Sequence, residues 1–473
     1  MPKPSPQHQL AWLIGDPVRF GRGVLGVDVT PAQASILTAL TTERRLAIRA
    51  CHASGKTFAA AIAVIWWIVA HPDGIAITTA PTWTQVERVL WAEIHRLLGA
   101  ARWRLQFGSQ NRTELRVGPK NFALGLSTNE GVRFQGFHGA NVLIVLDEAP
   151  GVQTDIWEAI EGIRAGGNVR VLAIGNPTAA SGPFYDAFSR DRANWWTRSI
   201  SAFDTPNLVG HDLASVLAMD PDALDVAPRP YLVTRRWVRE KHGEWGPQHP
   251  LWQARVLGDF PIHADDALLS LAWIEAATTR LLAWRPRDRV EIGIDVAGPG
   301  EDETVVCVRQ GPCIRAMQAF ADSDPRGAVL AYLRQWRGDA PLVKVDSVGI
   351  GYNFALHIRD QGYEVEEVNV GVAARDTEQF VNAKAEFCWG LRQRFEAGDI
   401  AGELDEATVA QLASIRYEHT PRGQLKIESK EDARKRGVRS PDRAEAVMLA
   451  FATSSAPILA PVSLEQPSYW RAV

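Results

Sequence analysis

The segment that most constrains how this chain can fold is ACHASGKT, residues 50–57. It follows a short apolar stretch, residues 46–48, and leads into a longer one, residues 58–70. Its spacing matches the phosphate-binding loop G-x-x-x-x-G-K-[ST], which joins a strand to a helix, with Ala50 in place of the first glycine. The segment therefore predicts a strand, a nucleotide-binding loop and an apolar helix in succession.

The residue types of this loop suit the phosphates of ATP. Backbone N–H groups around Ser54 and Gly55 would surround phosphate oxygens, and the helix N-terminus would add its partial positive charge. Lys56 would neutralise the β and γ phosphates, and Thr57 would be a ligand of Mg²⁺. Because a GKT tripeptide before a helix also arises by chance, the prediction needs a second element.

That second element is NVLIVLDEAP, residues 141–150, an unbroken apolar run that ends in two acids. Such a run is typical of a buried strand in a parallel sheet, and ligands bind at the carboxyl ends of such strands. Asp147 would hold Mg²⁺, and Glu148 would polarise the attacking water. The alternative is a strand that ends in a solvated acidic turn. Together with the loop, the run predicts ATP hydrolysis.

Four further residues are candidates for the same site, each with an ordinary alternative. Gln33 could read an adenine edge or be a surface glutamine. Asn176, in VLAIGNPT, could sense the γ-phosphate or lie in a simple turn. Arg133, in GVRFQGFHG, could reach a neighbouring subunit's γ-phosphate as an arginine finger, or be a surface arginine. Arg49, just before the loop, is the alternative, acting within its own subunit.

The chain alternates strand-like and helix-like segments, which predicts the α/β class. Residues 1–265 are expected to form a phosphate-loop ATPase domain with a mostly parallel sheet, including a lid or linker at about 190–265. Residues 266–456 are expected to form a second domain with a mixed sheet, and residues 457–473 a tail. The strands predicted in the first domain are residues 46–48, 74–79, 142–146 and 169–174.

Three separated segments of the second domain place aspartates at strand or helix ends. Asp295 ends EIGID and Asp302 follows seven residues later, and Asp346 ends LVKVD. Asp442 lies in an apolar helix for which Ser440 is the predicted cap and Pro441 the predicted first residue. Clustered carboxylates repel, so such a group normally requires Mg²⁺ or Mn²⁺, and two ions suit in-line cleavage of a phosphodiester. Taken singly, each aspartate could instead be a turn or capping residue.

The charge balance is nearly neutral, with 51 basic and 55 acidic residues in 473 and a net charge of −4. This excludes a histone-like positive coat but permits a local basic groove. Residues 416–443 hold nine lysines or arginines against five acids, which suits a DNA track or a salt-bridged surface hairpin. The longest apolar run has 13 residues, short of the roughly 20 that span a bilayer. No membrane span or secretory signal is expected.

Taken in order, the segments GKT, APTWTQVERVLW, LDEAP, GNPT, FDTPN, QARVLGDFP, GIDVAG, KVDSVG and SPDRAEA resemble those of the large terminase subunit of tailed bacteriophages. The resemblance extends from about residue 30 to residue 451. It implies an N-terminal ring-translocase ATPase that uses ATP and Mg²⁺. It also implies a C-terminal ribonuclease H-like nuclease that uses two Mg²⁺ or Mn²⁺ ions.

The resemblance also implies partners and a location. The partners are double-stranded DNA, the portal protein of an empty capsid, and a small terminase subunit that selects viral DNA. The subunit would be a monomer in solution and part of a ring of five on the portal vertex, in the host cytoplasm.

The resemblance carries over to the residues already singled out in both sites. Lys56 and Thr57 match the phosphate loop of the family, and Asp147 and Glu148 match its acidic pair. Gly175 to Thr178 match the coupling motif. The nuclease acids are matched by Asp295, Asp346 and Asp442, with Asp302 as an auxiliary acid. Two positions depart from the family pattern. His52 stands where many relatives have a loop arginine, and Glu445 stands where many have an aspartate.

Two other functions fit parts of the pattern. A cellular helicase-nuclease of repair or restriction would also combine the two sites, but no clear arginine-bearing helicase motif follows GNPT. A nucleic-acid-binding ATPase switch with an inactive nuclease fold is the third hypothesis. Strand separation would favour the helicase-nuclease, and metal-dependent cleavage would reject the switch.

Overall fold

A computed structural model of the chain describes residues 6–126, 137–261, 266–297, 303–321, 325–436, 438, 440–453 and 458–459. The chain divides into two units, Met1–Ile262 and His263–Val473, and each unit has its own large β-sheet. The predicted α/β class is confirmed in both units.

The first unit is built on an eight-stranded sheet with the order β3-β4-β5-β2-β6-β7-β1-β8. Its strands are β1 Arg45–Ala50, β2 Gly74–Thr79, β3 Ser109–Asn111, β4 Glu114–Arg116, β5 Phe122–Gly125, β6 Asn141–Leu146, β7 Asn168–Gly175 and β8 Trp196–Ile200. The six strands from β5 to β8 in that order are parallel, and β3 and β4 pair antiparallel at one edge. The mostly parallel sheet and its four predicted strands are thereby confirmed.

Helices cover both faces of this sheet. The α-helices in the described part of this unit are Pro6–Ile14, Pro17–Phe20, Pro31–Thr42, Lys56–Ala70, Trp83–Gln85, Ala92–Gly99, Thr154–Ile163, Gly182–Asp186, Leu213–Ala218, Pro221–Asp225, Arg235–Trp245 and Pro250–Trp252. The helix Lys56–Ala70 is buried on nearly every side, as its composition predicts. Leu46, Ile48 and Ala50 of β1 share its core cluster, whereas Ala47 belongs to the cluster on the opposite face.

The first strand of the expected lid region, β8, belongs to the main sheet. Only the part of that region after Ile200 lies outside the sheet. Backbone hydrogen bonds tie this later segment to the phosphate loop. The N–H of Val233 donates to the Ala53 carbonyl at 3.1 Å, and the N–H of His52 donates to the Arg255 carbonyl at 2.8 Å. The loop is therefore held from two directions.

The second unit is built on a six-stranded mixed sheet with the order β11-β10-β9-β12-β13-β16. Its strands are β9 Val290–Asp295, β10 Thr304–Gln310, β11 Cys313–Phe320, β12 Leu342–Asp346, β13 Glu364–Val368 and β16 Ile458–Leu459, and a separate hairpin joins β14 Tyr417–His419 to β15 Leu425–Ile427. β9, β10 and β11 are antiparallel neighbours, while β9, β12 and β13 are parallel. This is the ribonuclease H-like arrangement predicted from the sequence.

The helices of the second unit are Leu271–Thr279, Arg326–Leu333, Ile350–Asp360, Ala383–Glu396, Glu406–Ser414, Lys430–Lys435 and Asp442–Phe451. The last helix begins at Asp442 with Pro441 as its N-cap residue, one position later than the sequence suggested. The Ser440 hydroxyl bonds to the Asp442 carboxylate rather than to a backbone N–H of the first turn. This bond fixes one of the predicted acids.

Close approach of this helix to the sheet requires a glycine at position 293. A Cβ atom at Gly293 of β9 would lie 2.3 Å from both the carbonyl oxygen of Ala446 and the backbone nitrogen of Ala450. Backbone atoms cannot move aside as a flexible side chain can. Gly293 therefore sets the distance between β9, which ends in Asp295, and the helix that carries Asp442.

Gly293→Ala is expected to destabilise the chain by roughly 1–3 kcal/mol, because the added methyl overpacks a helix–sheet contact. Gly390→Ala is the matched control, since a Cβ there meets no heavy atom within 4 Å and alanine favours a helix interior by about 1 kcal/mol. Urea unfolding of the full chain measures both effects. Equal stability of the two variants would contradict this account of the packing.

Candidate nucleotide and carboxylate sites

The first site forms where three neighbouring parallel strands, β6, β7 and β1, end on the same side of the sheet. Leu146 pairs with Ala173, and Arg49 pairs with Gly175, so the residues after each strand are brought together. These are the acidic pair after β6, Asn176 after β7 and the loop after β1. Separate sequence segments thus converge at the edge of the sheet where ligands of such folds bind.

Lys56 is the centre of the contacts at this site. Its buried ammonium lies 3.0 Å from Oε1 of Glu148 and donates to Oδ1 of Asn176 at 3.0 Å. Asn176 also links the other parts, because its side chain donates to the Ala50 carbonyl and its N–H donates to Glu148. Burial lowers the pKa of Lys56, but the charges of Glu148 and Asp147 outweigh it, so the pKa is raised. The ammonium therefore stays charged.

Thr57 and Asp147 lie together beside this lysine. The Thr57 hydroxyl donates to Oδ2 of Asp147 at 3.3 Å. Burial raises the pKa of Asp147 to about 7, and Glu148 adds to the rise while Lys56 opposes it. A divalent cation would offset the cost of burying the charged Asp147 carboxylate. A hydroxyl next to a carboxylate is also the donor pair that Mg²⁺ takes in phosphate-loop proteins.

Glu148 holds a strained backbone conformation. Its φ is +48°, in the left-handed region that a glutamate rarely occupies. Such a conformation costs on the order of 1–3 kcal/mol and tends to persist at functional sites. Here it aims the carboxylate at Lys56 and Asn176.

The loop has features that fit a bound phosphate. The Ser54 hydroxyl is buried and has no hydrogen-bond partner among the described residues. Gly55 has a φ of +80°, and a Cβ there would lie 2.3 Å from Nε2 of Gln33. An unsatisfied buried hydroxyl is costly, and a phosphate oxygen would satisfy it. The residues present therefore fit the triphosphate that the motif predicts.

A cavity of about 590 Å³ extends from this loop. Gln33 lines it, but its side chain already accepts from the Thr30 N–H at 3.0 Å and donates to the Gly55 carbonyl at 3.2 Å. Arg96 and the 63% exposed Tyr231 are among the cavity residues that were not singled out from the sequence. Tyr231 comes from the segment after β8, so only the fold reveals that it lies near the loop.

Arg49, the candidate that would act within its own subunit, does not line this cavity. It occupies the face of β1 opposite the helix Lys56–Ala70, and its guanidinium lies 2.8 Å from Asp259. His52 cannot replace it as a cation, because burial and then the charges of Arg255 and Lys56 lower its pKa to about 3. Arg133 lies outside the described residues.

The second site forms where β9 and β12 end side by side. Val345 pairs with Ile294, so Asp346 and Asp295 follow on neighbouring parallel strands. Asp442 comes from the first turn of the helix packed on β9, and its carboxylate accepts from the Glu303 N–H at 2.9 Å. The predicted convergence of three acids is thus observed. Asp302 lies outside the described residues.

A fourth acid and two lysines complete this cluster. Glu445 lies one turn after Asp442 and is buried. Its carboxylate oxygens lie 2.6 Å from the ammonium of Lys384 and 2.8 Å from that of Lys430. Lys430 also lies 3.8 Å from Asp442. No sequence pattern singles out these lysines, since they come from two other helices.

The cluster carries more negative charge than the lysines relieve. Burial raises the pKa of Asp295 well above its usual value, and Glu445, Asp442 and Asp346 raise it further against the opposing charge of Lys430. Burial also raises the pKa of Asp346. Carboxylate oxygens are the donors that hard cations such as Mg²⁺ prefer, so the donor chemistry fits the predicted ions. As the side chains stand, no group of three or more acids, histidines or cysteines in the described part of the chain could hold a metal ion.

The basic segment at residues 416–443 is largely a salt-bridged hairpin and helix, the second of the two predicted structures. Its ion pairs are Arg416–Asp266, Lys426–Glu418, Lys430–Glu445, Lys435–Asp432, Arg436–Glu428 and Arg443–Glu303. Since so much of its charge is compensated, this segment alone does not make a basic track for DNA.

Fold and sites together define a class: a phosphate-loop α/β domain followed by a ribonuclease H-like domain with a carboxylate cluster. No protein-family model matches the chain. It is 24% identical over 340 residues to a protein of Enterobacteria phage P7 described as "Probable terminase, large subunit", over 68% of this chain and 65% of the relative. The predicted resemblance to large terminase subunits is thereby confirmed, although the match spans slightly less than two thirds of the relative's length.

Solved structures of the same kind are also similar to the chain. The large terminase of a thermophilic bacteriophage is 11% identical and covers 90% of this chain and 98% of its own, with a TM-score of 0.41. The nuclease domain of the large terminase subunit of bacterial virus Sf6 is 20% identical and covers 40% of this chain and 100% of its own, with a TM-score of 0.35. In the described part of the chain, no helix is long and apolar enough to cross a membrane.

Proposed function

We propose that this protein is the motor subunit that packages viral DNA. ATP hydrolysis in the first unit would drive double-stranded DNA into an empty capsid. A metal-dependent endonuclease in the second unit would cut concatemeric DNA at initiation and termination. The observation that supports the proposal is the occurrence, in one chain, of a phosphate loop with an acidic pair beside its lysine and of a four-acid cluster on a ribonuclease H-like sheet.

The contacts of the first site support specific roles in ATP hydrolysis. Lys56, Ser54 and the N–H groups of the loop would hold the phosphates, and Thr57 and Asp147 would hold the Mg²⁺ that offsets their charge. Glu148 would orient the attacking water. Because Lys56 contacts both Glu148 and Asn176, binding of the γ-phosphate would draw Lys56 away and release Glu148 for that role. Asn176 would relay the loss of the phosphate.

The second site supports cleavage of a phosphodiester. Asp295, Asp346 and Asp442 would hold two Mg²⁺ or Mn²⁺ ions, with Glu445 or Asp302 as a further ligand. Such a pair of ions stabilises the attacking and leaving oxygens of an in-line displacement. The raised pKa values of Asp295 and Asp346 are consistent with this role, because an ion would relieve the burial that raises them.

The proposed assembly follows from the same resemblance. The subunit would act as a ring of five on the portal protein of the capsid, with a small terminase subunit selecting viral DNA. It would be a monomer in the host cytoplasm until it docks.

The experiment that tests the proposal distinguishes DNA translocation from the separation of the two DNA strands. On duplex DNA carrying a bound third strand, a packaging motor should displace the third strand in an ATP-dependent way and leave the duplex paired. A helicase-nuclease would separate the duplex strands. Strand separation at a rate comparable to displacement would overturn the proposal in favour of that alternative.

Arg133 is proposed as the arginine finger that makes hydrolysis depend on the neighbouring subunit. Arg133→Ala should lower ATP hydrolysis by about 10³-fold or more and leave ATP binding within a few fold, since a finger acts on the transition state. Mixing it with Glu148→Gln subunits should restore activity, because a subunit that retains Glu148 can then sit beside an intact Arg133. Absence of rescue in rings shown to be mixed would remove Arg133 from this role.

A further inference from the structure

A groove follows β8, the last strand of the first sheet in the described part of the chain. Two cavities, of about 630 and 390 Å³, share Arg192 and Thr197 in their walls and are therefore adjacent. We refer to the two together as the groove. None of their wall residues belongs to the cavity beside the phosphate loop. The groove is therefore a separate feature of the first unit.

Arginine supplies all the positive charge in the walls of this groove. Its five arginines are Arg44, Arg45, Arg49, Arg164 and Arg192. Arg45 and Arg49 lie four residues apart on one face of β1, a separation of roughly 13 Å along the strand. One strand of DNA advances about 3.4 Å per phosphate along the helix axis, so this span matches about four phosphates.

Only part of this charge is compensated within the described residues. Glu161 pairs with Arg45 at 2.7 Å and with Arg164, and Asp259 pairs with Arg49 at 2.8 Å. Glu43 is the remaining acid in the walls. The guanidinium groups of Arg44 and Arg192 have no carboxylate partner in the described part of the chain, and both residues are exposed. The groove is thus positive on a protein whose net charge is −4.

Aromatic rings hold these arginines in place. The Arg45 guanidinium lies 5.5 Å from the ring centre of Trp195, and that of Arg49 lies 5.4 Å from each of Phe188 and Phe260. Stacking on rings fixes guanidinium groups while their edges bind oxygen anions, here the carboxylates of Glu161 and Asp259. Trp196 also stands in the groove wall, and its partly buried ring packs against the core cluster that includes the helix Lys56–Ala70.

We propose that this groove binds the phosphate backbone of a DNA strand, as a DNA contact of the first unit that is separate from the carboxylate cluster. This proposal depends on the proposed packaging function in one respect, which is that the polyanion bound in the groove is DNA. Arginine forks make two-point contacts with phosphate oxygens, and the spacing of Arg45 and Arg49 along β1 suits an anion that repeats along its length. An acidic protein segment would match the charge but would not need the rings.

The test compares two double charge reversals in the full-length protein. Arg44→Glu with Arg192→Glu changes the groove. The matched control, Arg112→Glu with Arg116→Glu, makes the same change of charge at the hairpin on the opposite edge of the sheet. Fluorescence anisotropy with labelled duplex and single-stranded DNA, in EDTA and without nucleotide, gives affinity against salt concentration. Circular dichroism checks that each variant is folded.

The groove variant should lose at least about tenfold in DNA affinity, and its plot of log affinity against log salt should flatten by about two. The control variant should bind within about twofold of wild type. A weaker loss of the same sign in Arg44→Gln with Arg192→Gln supports the groove even if the reversal misfolds. If the groove variant loses more affinity for duplex than for single-stranded DNA, the groove binds duplex DNA. The opposite result assigns the groove to a single strand.

Two outcomes would overturn the proposal, and a third would contradict the function on which it rests. Equal affinities of both double reversals, with wild type binding DNA, would exclude the groove and leave the packaging function intact. Stronger competition by polyglutamate than by DNA of equal charge would assign the groove to an acidic protein segment. Failure of the wild type to bind any DNA would instead contradict the proposed function itself.

Discussion

Lys56→Ala should abolish ATP turnover while metal-dependent DNA cleavage continues. The side chain is the buried cation of the phosphate loop and contacts both Glu148 and Asn176. Its loss removes the counter-charge to the phosphates, and loss of such electrostatic stabilisation costs on the order of 10²–10³-fold in rate or more. The measurement is steady-state ATP hydrolysis with and without DNA, beside cleavage of a supercoiled plasmid in Mn²⁺.

Glu148→Gln should reach the same result by a different route, since it removes the water-orienting carboxylate and keeps the side-chain shape. The variant should still bind ATP, whereas Lys56→Ala should bind it poorly. Arg88→Ala, at an exposed arginine of the first unit, is the control and should hydrolyse ATP like wild type. ATPase activity of Lys56→Ala near the wild-type level would refute the nucleotide-site assignment.

Asp346→Asn should reduce DNA cleavage to background and leave ATP hydrolysis in place. The carboxylate lies at the end of β12 beside Asp295, and a two-ion site tolerates little loss of geometry. Asp295→Asn and Asp442→Asn should behave alike. Mn²⁺ should support wild-type cleavage and Ca²⁺ should not, because Ca²⁺ takes looser, higher coordination. The assay is plasmid cleavage by each purified variant.

Thermal stability gives a second readout that does not depend on cleavage. Mn²⁺ should raise the melting temperature of the wild type, because an ion that binds only the folded state stabilises it. That shift should vanish in Asp346→Asn and persist in the control Asp360→Asn, an exposed residue at a helix end. Robust cleavage by Asp346→Asn in EDTA would reject the metal mechanism.

The first site was largely predictable from the sequence because each of its parts directly follows an apolar strand. The register of β6, β7 and β1 then brings the acidic pair, Asn176 and the loop together. Tyr231 was not predictable, since it reaches the cavity from a distant segment with no periodic signal of its own. Such contacts depend on tertiary packing rather than on local pattern.

The position of Arg49 follows from the alternation of side chains along β1. Leu46, Ile48 and Ala50 face the helix Lys56–Ala70, and alternation along a strand then sends Arg45 and Arg49 to the opposite face. A residue next to the loop in sequence therefore lies on the other side of the sheet. The same alternation places Arg45 and Arg49 of β1 in the groove.

In the second unit the sequence predicted the three acids but not the arrangement that neutralises them. Asp295, Asp346 and Asp442 stand at recognisable strand and helix ends. Lys384 and Lys430 belong to helices whose approach to Glu445 depends on the packing of the whole unit. The role of Gly293 was likewise hidden, because a glycine in a strand does not reveal which backbone lies against it.

Packaging itself tests the central claim most directly. Purified empty capsids of the same virus would be supplied with the protein, linear double-stranded DNA and ATP, and then treated with nuclease. The account predicts that wild-type protein protects genome-length DNA inside the capsids. Lys56→Ala should protect none, and Asp346→Asn should still fill capsids from DNA that already has an end. ATP-dependent hydrolysis without any protected DNA, on capsids shown to bind the protein, would contradict the account.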